Sequence, residues 1–145
     1  MRFRQILFIT ISTVCLSGVW GTAYAQDDEI EGHIYTVSTH KWPFNNLEEI
    51  FALMEETQAI VEENEYILSR KVLTHSWAGE FSVMIIIEYA SMADIDKAQK
   101  RGTELFNAKY PDEEEREARG EKLSELMGAS MHNDSIVQEV PALTK

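Results

Sequence analysis

Two periodicities alternate along the chain, and their order carries most of its structural information. His33 to Trp42 (HIYTVSTHKW) is rich in β-branched and aromatic residues and stops at Pro43, which reads as a first strand. Leu47, Ile50, Phe51, Met54 and Val61 then recur at helical spacing, opposed by Glu48, Glu55, Glu56, Glu62 and Glu63. This pattern predicts a single amphipathic helix of about five turns. Asn45 or Asn46 can cap it, and Glu48 and Glu49 lie where the helix dipole favours acids. Its acidic side reads as a solvated face.

Tyr66 to Trp77 and Phe81 to Tyr89 read as a second and a third strand, with Ala78-Gly79-Glu80 as the hairpin turn between them. A second helical region opens near Met92 with Asp94 and Asp96 in its first turn and Ile95, Ala98, Leu105 and Phe106 on one side. Gly102 weakens its middle and Pro111 interrupts it. A charged helix resumes from Asp112 to Met127, with Leu123, Leu126 and Met127 among its few apolar positions and Gly128 as its stop. Ser135 to Val140 alternates and ends at Pro141, a fourth strand.

The resulting order, β-α-β-β-α-β, is that of an α+β, ferredoxin-like domain with a four-stranded antiparallel sheet. Right-handed crossovers place strands one and three in the middle and two and four at the edges. Val83, Met84, Ile85, Ile86 and Ile87 are apolar at five consecutive positions, so both faces of the third strand call for burial. Two helices of one chain cover one face. A second copy of the sheet, related by two-fold symmetry, is the simplest cover for the other, and predicts a homodimer. The Asp112–Met127 segment is the alternative cover, and it is too hydrophilic for that place. Glu88, beside the apolar run, sits at the rim or needs a buried partner.

The element order, the doubly apolar third strand and the ending NDSIVQEVP after a split second helix resemble the dimeric α+β-barrel superfamily. That group includes antibiotic-biosynthesis-type monooxygenases, haem-degrading monooxygenases, and NIPSNAP-type and stress-responsive barrel proteins. The resemblance covers nearly all of residues 32–141 and is architectural. It implies a pair of sheets closing into a barrel, and sets little on function, because the group's roles are chemically diverse. The Asn, Trp and His with which the haem-degrading members line their pocket have no matching spacing here, so no catalytic residue is carried over.

Composition narrows the partners. Among 145 residues, 25 are acidic and 13 basic, a net charge of −12, which repels phosphate backbones and anionic lipid headgroups. A chain that is 44% hydrophobic and 10% aromatic is too apolar to be disordered. Arg2 and Arg4, the apolar stretch Ile6 to Leu16 and the Ala23-Tyr24-Ala25 site read as a secretory signal over residues 1–25. A retained anchor would need a span of roughly 20 apolar residues, which the interrupted stretch does not offer. Val14 is too bulky for lipid attachment at Cys15. Cleavage would leave an acidic leader at 26–31, one domain at 32–141 and a tail at 142–145. It would also remove Cys15, the chain's single cysteine, leaving no disulfide or thiolate zinc site. The expected location is periplasmic or extracellular, with no membrane contact after cleavage.

One short echo carries candidate chemistry: Thr39-His40-Lys41-Trp42 and Thr74-His75-Ser76-Trp77. Each closes a strand, and the two strands run parallel with the third between them, so both echoes fall at one end of the sheet near Glu80 and Phe81. Alternation puts His40 and Trp42 on a face with Ile34, Thr36 and Ser38, and His75 and Trp77 on a face with Lys71 and Leu73. Register decides whether these faces coincide. One reading is a ligand pocket of His40, Trp42, His75, Trp77 and Glu80, in which tryptophans enclose a small hydrophobic molecule and a histidine binds or moves a proton. The other is plain packing at the end of the sheet. Metal is disfavoured, since the histidines stand two strand spacings apart, roughly 9–10 Å. His33 and His132 flank the domain and read as exposed.

No dinucleotide, phosphate-loop, zinc-protease or serine-hydrolase signature is present. The expectation is therefore an exported, homodimeric small-molecule-binding protein with no cofactor, with or without catalysis. The alternatives are a cofactor-independent monooxygenase or haem-handling enzyme, and an acidic interaction protein that uses faces such as Asp112-Glu113-Glu114-Glu115.

Overall fold

A computed structural model of the chain describes residues 32–75, 79–129 and 131–144. The expected signal and leader, Trp77 and the hairpin residue Ala78 lie outside these residues. The elements follow the order β1 (Ile34–His40), a 3-10 turn (Phe44–Asn46), α1 (Leu47–Glu56), α2 (Gln58–Glu62), β2 (Ser69–Thr74), β3 (Val83–Tyr89), α3 (Met92–Lys109), α4 (Glu113–Met127) and β4 (His132–Gln138). A last 3-10 turn spans Pro141–Leu143. The sheet order is β2-β3-β1-β4 and every neighbouring pair is antiparallel, so strands one and three are central, as the crossover rule requires.

Several boundaries move, each for a local reason. The expected single first helix is two helices, because Thr57 closes α1 with both its amide and its hydroxyl on the Met54 carbonyl, the latter at 2.9 Å. The expected cap at Asn46 is not made by its side chain; Nδ2 instead donates to the Leu126 carbonyl at 2.7 Å and ties α1 to α4. The second strand starts at Ser69 rather than Tyr66, because Asn64 turns the chain first. Its Oδ1 accepts from the Tyr66 amide at 3.3 Å, and its carbonyl accepts from the Ile67 amide at 3.0 Å. Gly102 leaves α3 unbroken, and Pro111 does separate α3 from α4. Asp112 caps α4 by accepting from the Glu114 amide at 2.9 Å, and Gly128 ends it with φ 64°. β4 begins at His132, three residues before the alternation at Ser135 announces it.

Register sorts the sheet into two unlike faces. Ile34, Thr36, Ser38 and His40 of β1 stand beside Tyr89, Ile87, Ile85 and Val83 of β3. This face carries the helices. Trp42, Ile50 and Val83 form its buried centre, with Leu47, Phe51 and Met54 of α1 and Leu123, Leu126 and Met127 of α4 packed around them. Burying a side chain such as Ile50, which is fully covered, contributes about 1.5–3 kcal/mol.

The opposite face presents Tyr35, Val37 and Thr39 beside Glu88, Ile86 and Met84, flanked by Ser69, Lys71 and Leu73 on β2 and by Asn133, Ser135 and Val137 on β4. No described helix lies over it, and Leu73 and Val137 remain 47% and 45% exposed. The charged α4 packs on α1 rather than across this face. No described helix is long and apolar enough to cross a membrane.

Candidate functional site

The helix-bearing side of the sheet is filled unevenly. At one end α1 and α4 close tightly on Trp42, Ile50 and Val83. At the other, α2 and α3 stand off the strands and leave a cleft of about 700 Å³. Its walls are apolar, with Ile60 and Val61 from α2, Ile67 from the following turn, Ile95 and Ala98 from α3, and Ile87 and Ile136 from the sheet. Its volume lies within the range of small-molecule sites.

Small and polar residues hold the cleft open. Ala98 and Gly102 face it from α3, where larger side chains would fill it. Asn64 is buried and bonded through both ends of its amide: beyond the turn described above, its Nδ2 donates to the Ala98 carbonyl at 2.8 Å, which ties the end of α2 to α3. Thr36 and Ser38 line the floor from the central strand β1. Neither hydroxyl has a hydrogen-bond partner among the described residues, so both are free to meet a ligand.

A histidine cluster borders the cleft. Asp134 lines it and pairs in register with Ser38; one step further on the same face, His40 pairs with His132. The His40 and His132 rings stack with centroids 5.9 Å apart, and His132 Nε2 lies 3.4 Å from Asp134 Oδ2. On its other side His40 stacks on Trp42 at 4.6 Å. Burial holds the His40 pKa below the ordinary 6.5, the neighbouring His132 lowers it further, and Asp134 pulls against both. His40 is therefore neutral at pH 7, with a ring nitrogen able to accept a proton.

The described members of the expected pocket, His40, Trp42, His75 and Glu80, are not brought together. Thr74 and His40 are both register partners of Val83, so Thr74 shares the helix-bearing face with His40. His75 continues the ladder through its amide to the Ser82 carbonyl at 2.8 Å, and alternation turns it to the other face, where its ring meets Phe81 at 4.9 Å. His40 and His75 thus lie at one end of the sheet but on opposite faces. Trp42 is 2% exposed and belongs to the packed core; none of the cavities described here is lined by it. Glu80 is exposed, and Trp77 lies outside the described residues.

What locks this end is Ser82, which was not singled out in the sequence. Its buried hydroxyl accepts from the Trp42 amide at 2.8 Å and reaches the Trp42 carbonyl at 2.9 Å, while its own amide donates to the His40 carbonyl at 2.8 Å. His132 and Asp134 were also missed as site members. His132 is exposed, as its flanking position suggested, yet it stacks on His40 across a strand pair that no local pattern announces.

Glu88 takes neither of its two expected forms alone. It sits at the rim of the open face, yet it is richly bonded. Ser69 Oγ and Tyr35 Oη donate to it, the latter at 3.2 Å, and His33 Nδ1 lies 2.5 Å away. The Ser69 hydrogen bond first, and then those of His33 and Tyr35, hold the Glu88 carboxyl below the usual range. Among the described residues no group of three or more His, Cys, Asp or Glu is placed to hold a metal ion.

The His40 environment has a measurable sign. Its imidazole should titrate below 6.5 in a two-dimensional NMR experiment. His132→Asn should raise the midpoint by removing a like charge, and Asp134→Asn should lower it. Because the folded state binds this proton less readily than the unfolded chain, the contribution to stability is present above 6.5 and is lost as pH falls through the folded value. A midpoint at or above 6.5 would contradict this account of the cluster.

No protein-family model matches the sequence, and no curated protein matches it either. Solved structures do resemble it. A candidate antibiotic biosynthesis monooxygenase from Caulobacter crescentus CB15 superposes with a TM-score of 0.52 at 22% identity, over 75% of this chain and 91% of that one. A dimeric ferredoxin-like protein from an uncultured marine organism gives 0.52 at 14% identity, over 73% and 87%. SnoaB, a cofactor-independent oxygenase from Streptomyces nogalater, gives 0.51 at 10% identity, over 79% and 99%. At such identities the likeness is one of fold: this chain has the α+β architecture, with a four-stranded antiparallel sheet, of the dimeric ferredoxin-like proteins.

Proposed function

We propose that this is an exported homodimer that binds a small, largely apolar molecule in the cleft between α2, α3 and the sheet. The observation that carries the reading is the cleft itself, about 700 Å³ walled by Ile60, Ile67, Ile87 and Ile95, with the unpaired hydroxyls of Thr36 and Ser38 beneath. Apolar walls supply affinity, and two hydroxyls on a rigid central strand supply orientation. This reading puts the ligand under α2 and α3, away from the strand ends that the sequence pattern suggested. Export rests on the 1–25 signal pattern, and the intact mass of exported material should correspond to a chain beginning at Gln26.

The cleft can be tested with N-phenylnaphthylamine, a neutral probe that brightens in apolar surroundings. Gly102 lines the cleft, and a Cβ there would sit 3.7 Å from Asn64 Nδ2, an ordinary contact. Gly102→Leu therefore fills the cleft while improving helix propensity. Affinity for the probe should fall by about tenfold or more, the loss expected when a packed contact worth 1.4 kcal/mol or more is removed. Equal binding by the two proteins would remove the cleft as the site.

The dimer reading rests on the open face, where Val37, Met84 and Ile86 of the central strands lie between exposed Leu73 and Val137. Sedimentation should report a dimer at micromolar concentration, and Ile86→Lys should yield a folded monomer, because an unpaired ammonium in a buried apolar interface costs several kcal/mol. A native chain that sediments as a monomer would refute this part.

A second reading, a cofactor-independent monooxygenase, is favoured by one observation. The neutral His40, stacked on Trp42 and flanked by His132 and Asp134, lies one strand step beyond the cleft floor. There it could take a proton from an acidic ligand, the opening step of cofactor-free oxidation chemistry. p-Nitrophenol reports this by colour. If the cluster works as a base, part of the bound phenol is phenolate at a pH where the His40→Asn variant holds it as phenol, and the variant retains binding. A bound phenol whose spectrum is unaffected by His40→Asn would leave only the binding reading.

A further inference from the structure

We propose that a second, smaller cavity, between α1, α3 and α4, is a binding site for a monocarboxylate with a compact apolar body. It measures about 200 Å³; Leu53, Phe106 and Leu123 supply apolar walls, and Arg116, Arg119 and Gly120 face it from α4. That volume is below the usual range for drug-sized ligands and suits a single substituted ring or a short branched chain.

The two guanidiniums differ in what they already hold. Arg119 is gripped from several sides: Nη2 bonds the Glu56 carboxylate and, at 2.8 Å, the Tyr110 hydroxyl, and Cζ lies 4.1 Å from the centre of the Tyr110 ring. Its Nε is buried with no hydrogen-bond partner, and the Glu115 carboxylate lies 3.9 Å from it. Arg119 is thus committed to protein partners and forms a fixed cationic wall of the cavity.

Arg116 supplies the net charge. Its Nη1 donates to the Tyr110 carbonyl at 2.7 Å, and among the described residues no carboxylate lies within ion-pair distance of it. This half-buried guanidinium therefore keeps a positive charge that no neighbouring carboxylate offsets by direct pairing. A carboxylate is the planar, two-oxygen acceptor that a guanidinium fork matches. The apolar walls behind favour a hydrocarbon body over a bare inorganic anion.

Gly120 is the third element. A glycine inside a helix costs about 1 kcal/mol relative to alanine. No atom lies within 4 Å of the place its Cβ would occupy, so no crowding within the described protein requires glycine there. The room it leaves adjoins the cavity.

The test is calorimetry and thermal unfolding of the whole protein with sodium benzoate, its neutral isostere benzamide, and inorganic phosphate at matched ionic strength. Benzoate should bind and raise Tm, while benzamide and phosphate should do neither. Arg116→Gln should weaken benzoate binding by at least about tenfold, as loss of a charge-assisted pair implies. Gly120→Leu, which strengthens the helix and occupies the cavity, should abolish binding without lowering Tm in buffer. Three results would each overturn the assignment: benzamide binding as well as benzoate, phosphate binding as well as benzoate, or undiminished benzoate binding by Gly120→Leu.

Discussion

The structure is organised around a strand that is apolar on both sides and sits at the centre of a sheet with helices on only one side. Val83, Ile85 and Ile87 of β3 face the helices, and Met84 and Ile86 face away from them. Once β3 lies beside β1, the two faces are bound to differ. One acquires a core and a cleft. The other is left with Val37, Met84 and Ile86 in its middle and a rim bonded through Tyr35, Ser69 and Glu88. A single layer of helices cannot serve both, and α4 joins α1 on the core side by packing Leu123, Leu126 and Met127 against Trp42, Ile50 and Val83.

The helix-bearing face is itself divided, for a reason that lies in side-chain size. At the end where His40 pairs with Val83, Trp42 and Ile50 pack together, and Ser82 bonds both the amide and the carbonyl of Trp42, so that end is dense and pinned. At the far end the facing residues of α3 are Ala98 and Gly102, and Asn64 spans the gap by hydrogen bonding rather than by bulk. Packing that is tight at one end and bridged at the other yields a cavity without strain. The proposed ligand site and the histidine cluster meet at the junction of these halves, where a rigid strand carries Ser38, His40 and, two residues on, the core tryptophan.

The polar clusters show how an acidic chain distributes its few cations. Lys97 pairs with Asp94, Arg101 with Glu65 and Glu104, Lys122 with Glu49, and Arg119 with Glu56. These are exposed or half-exposed contacts worth little individually. Lys41, Arg70, Lys71, Lys100, Lys109 and Arg116 have no ion pair among the described residues, and Arg116 lies beside the cavity between α1, α3 and α4. The fold resemblance to oxygenases and to other ferredoxin-like proteins is silent on that site, since shared architecture constrains backbone and leaves side-chain chemistry free.

The sequence by itself determined the element order, the antiparallel sheet with β1 and β3 in its centre, the break at Pro111 and the two-faced character of β3. These follow from periodicity, from the handedness of crossovers and from proline's missing amide, all of which act locally or by topology. Tertiary structure alone decided the site. Whether His40 and His75 share a face turned on a register in which Val83 pairs with both His40 and Thr74, and a shift of one residue would have reversed the answer. That His132 and Asp134 join His40, that Ser82 pins Trp42, and that Asn64 ends one helix while bracing another all depend on contacts between residues tens of positions apart. Alternation along a strand records which residues share a side; it holds no information about which strand will lie next to it, or at what offset.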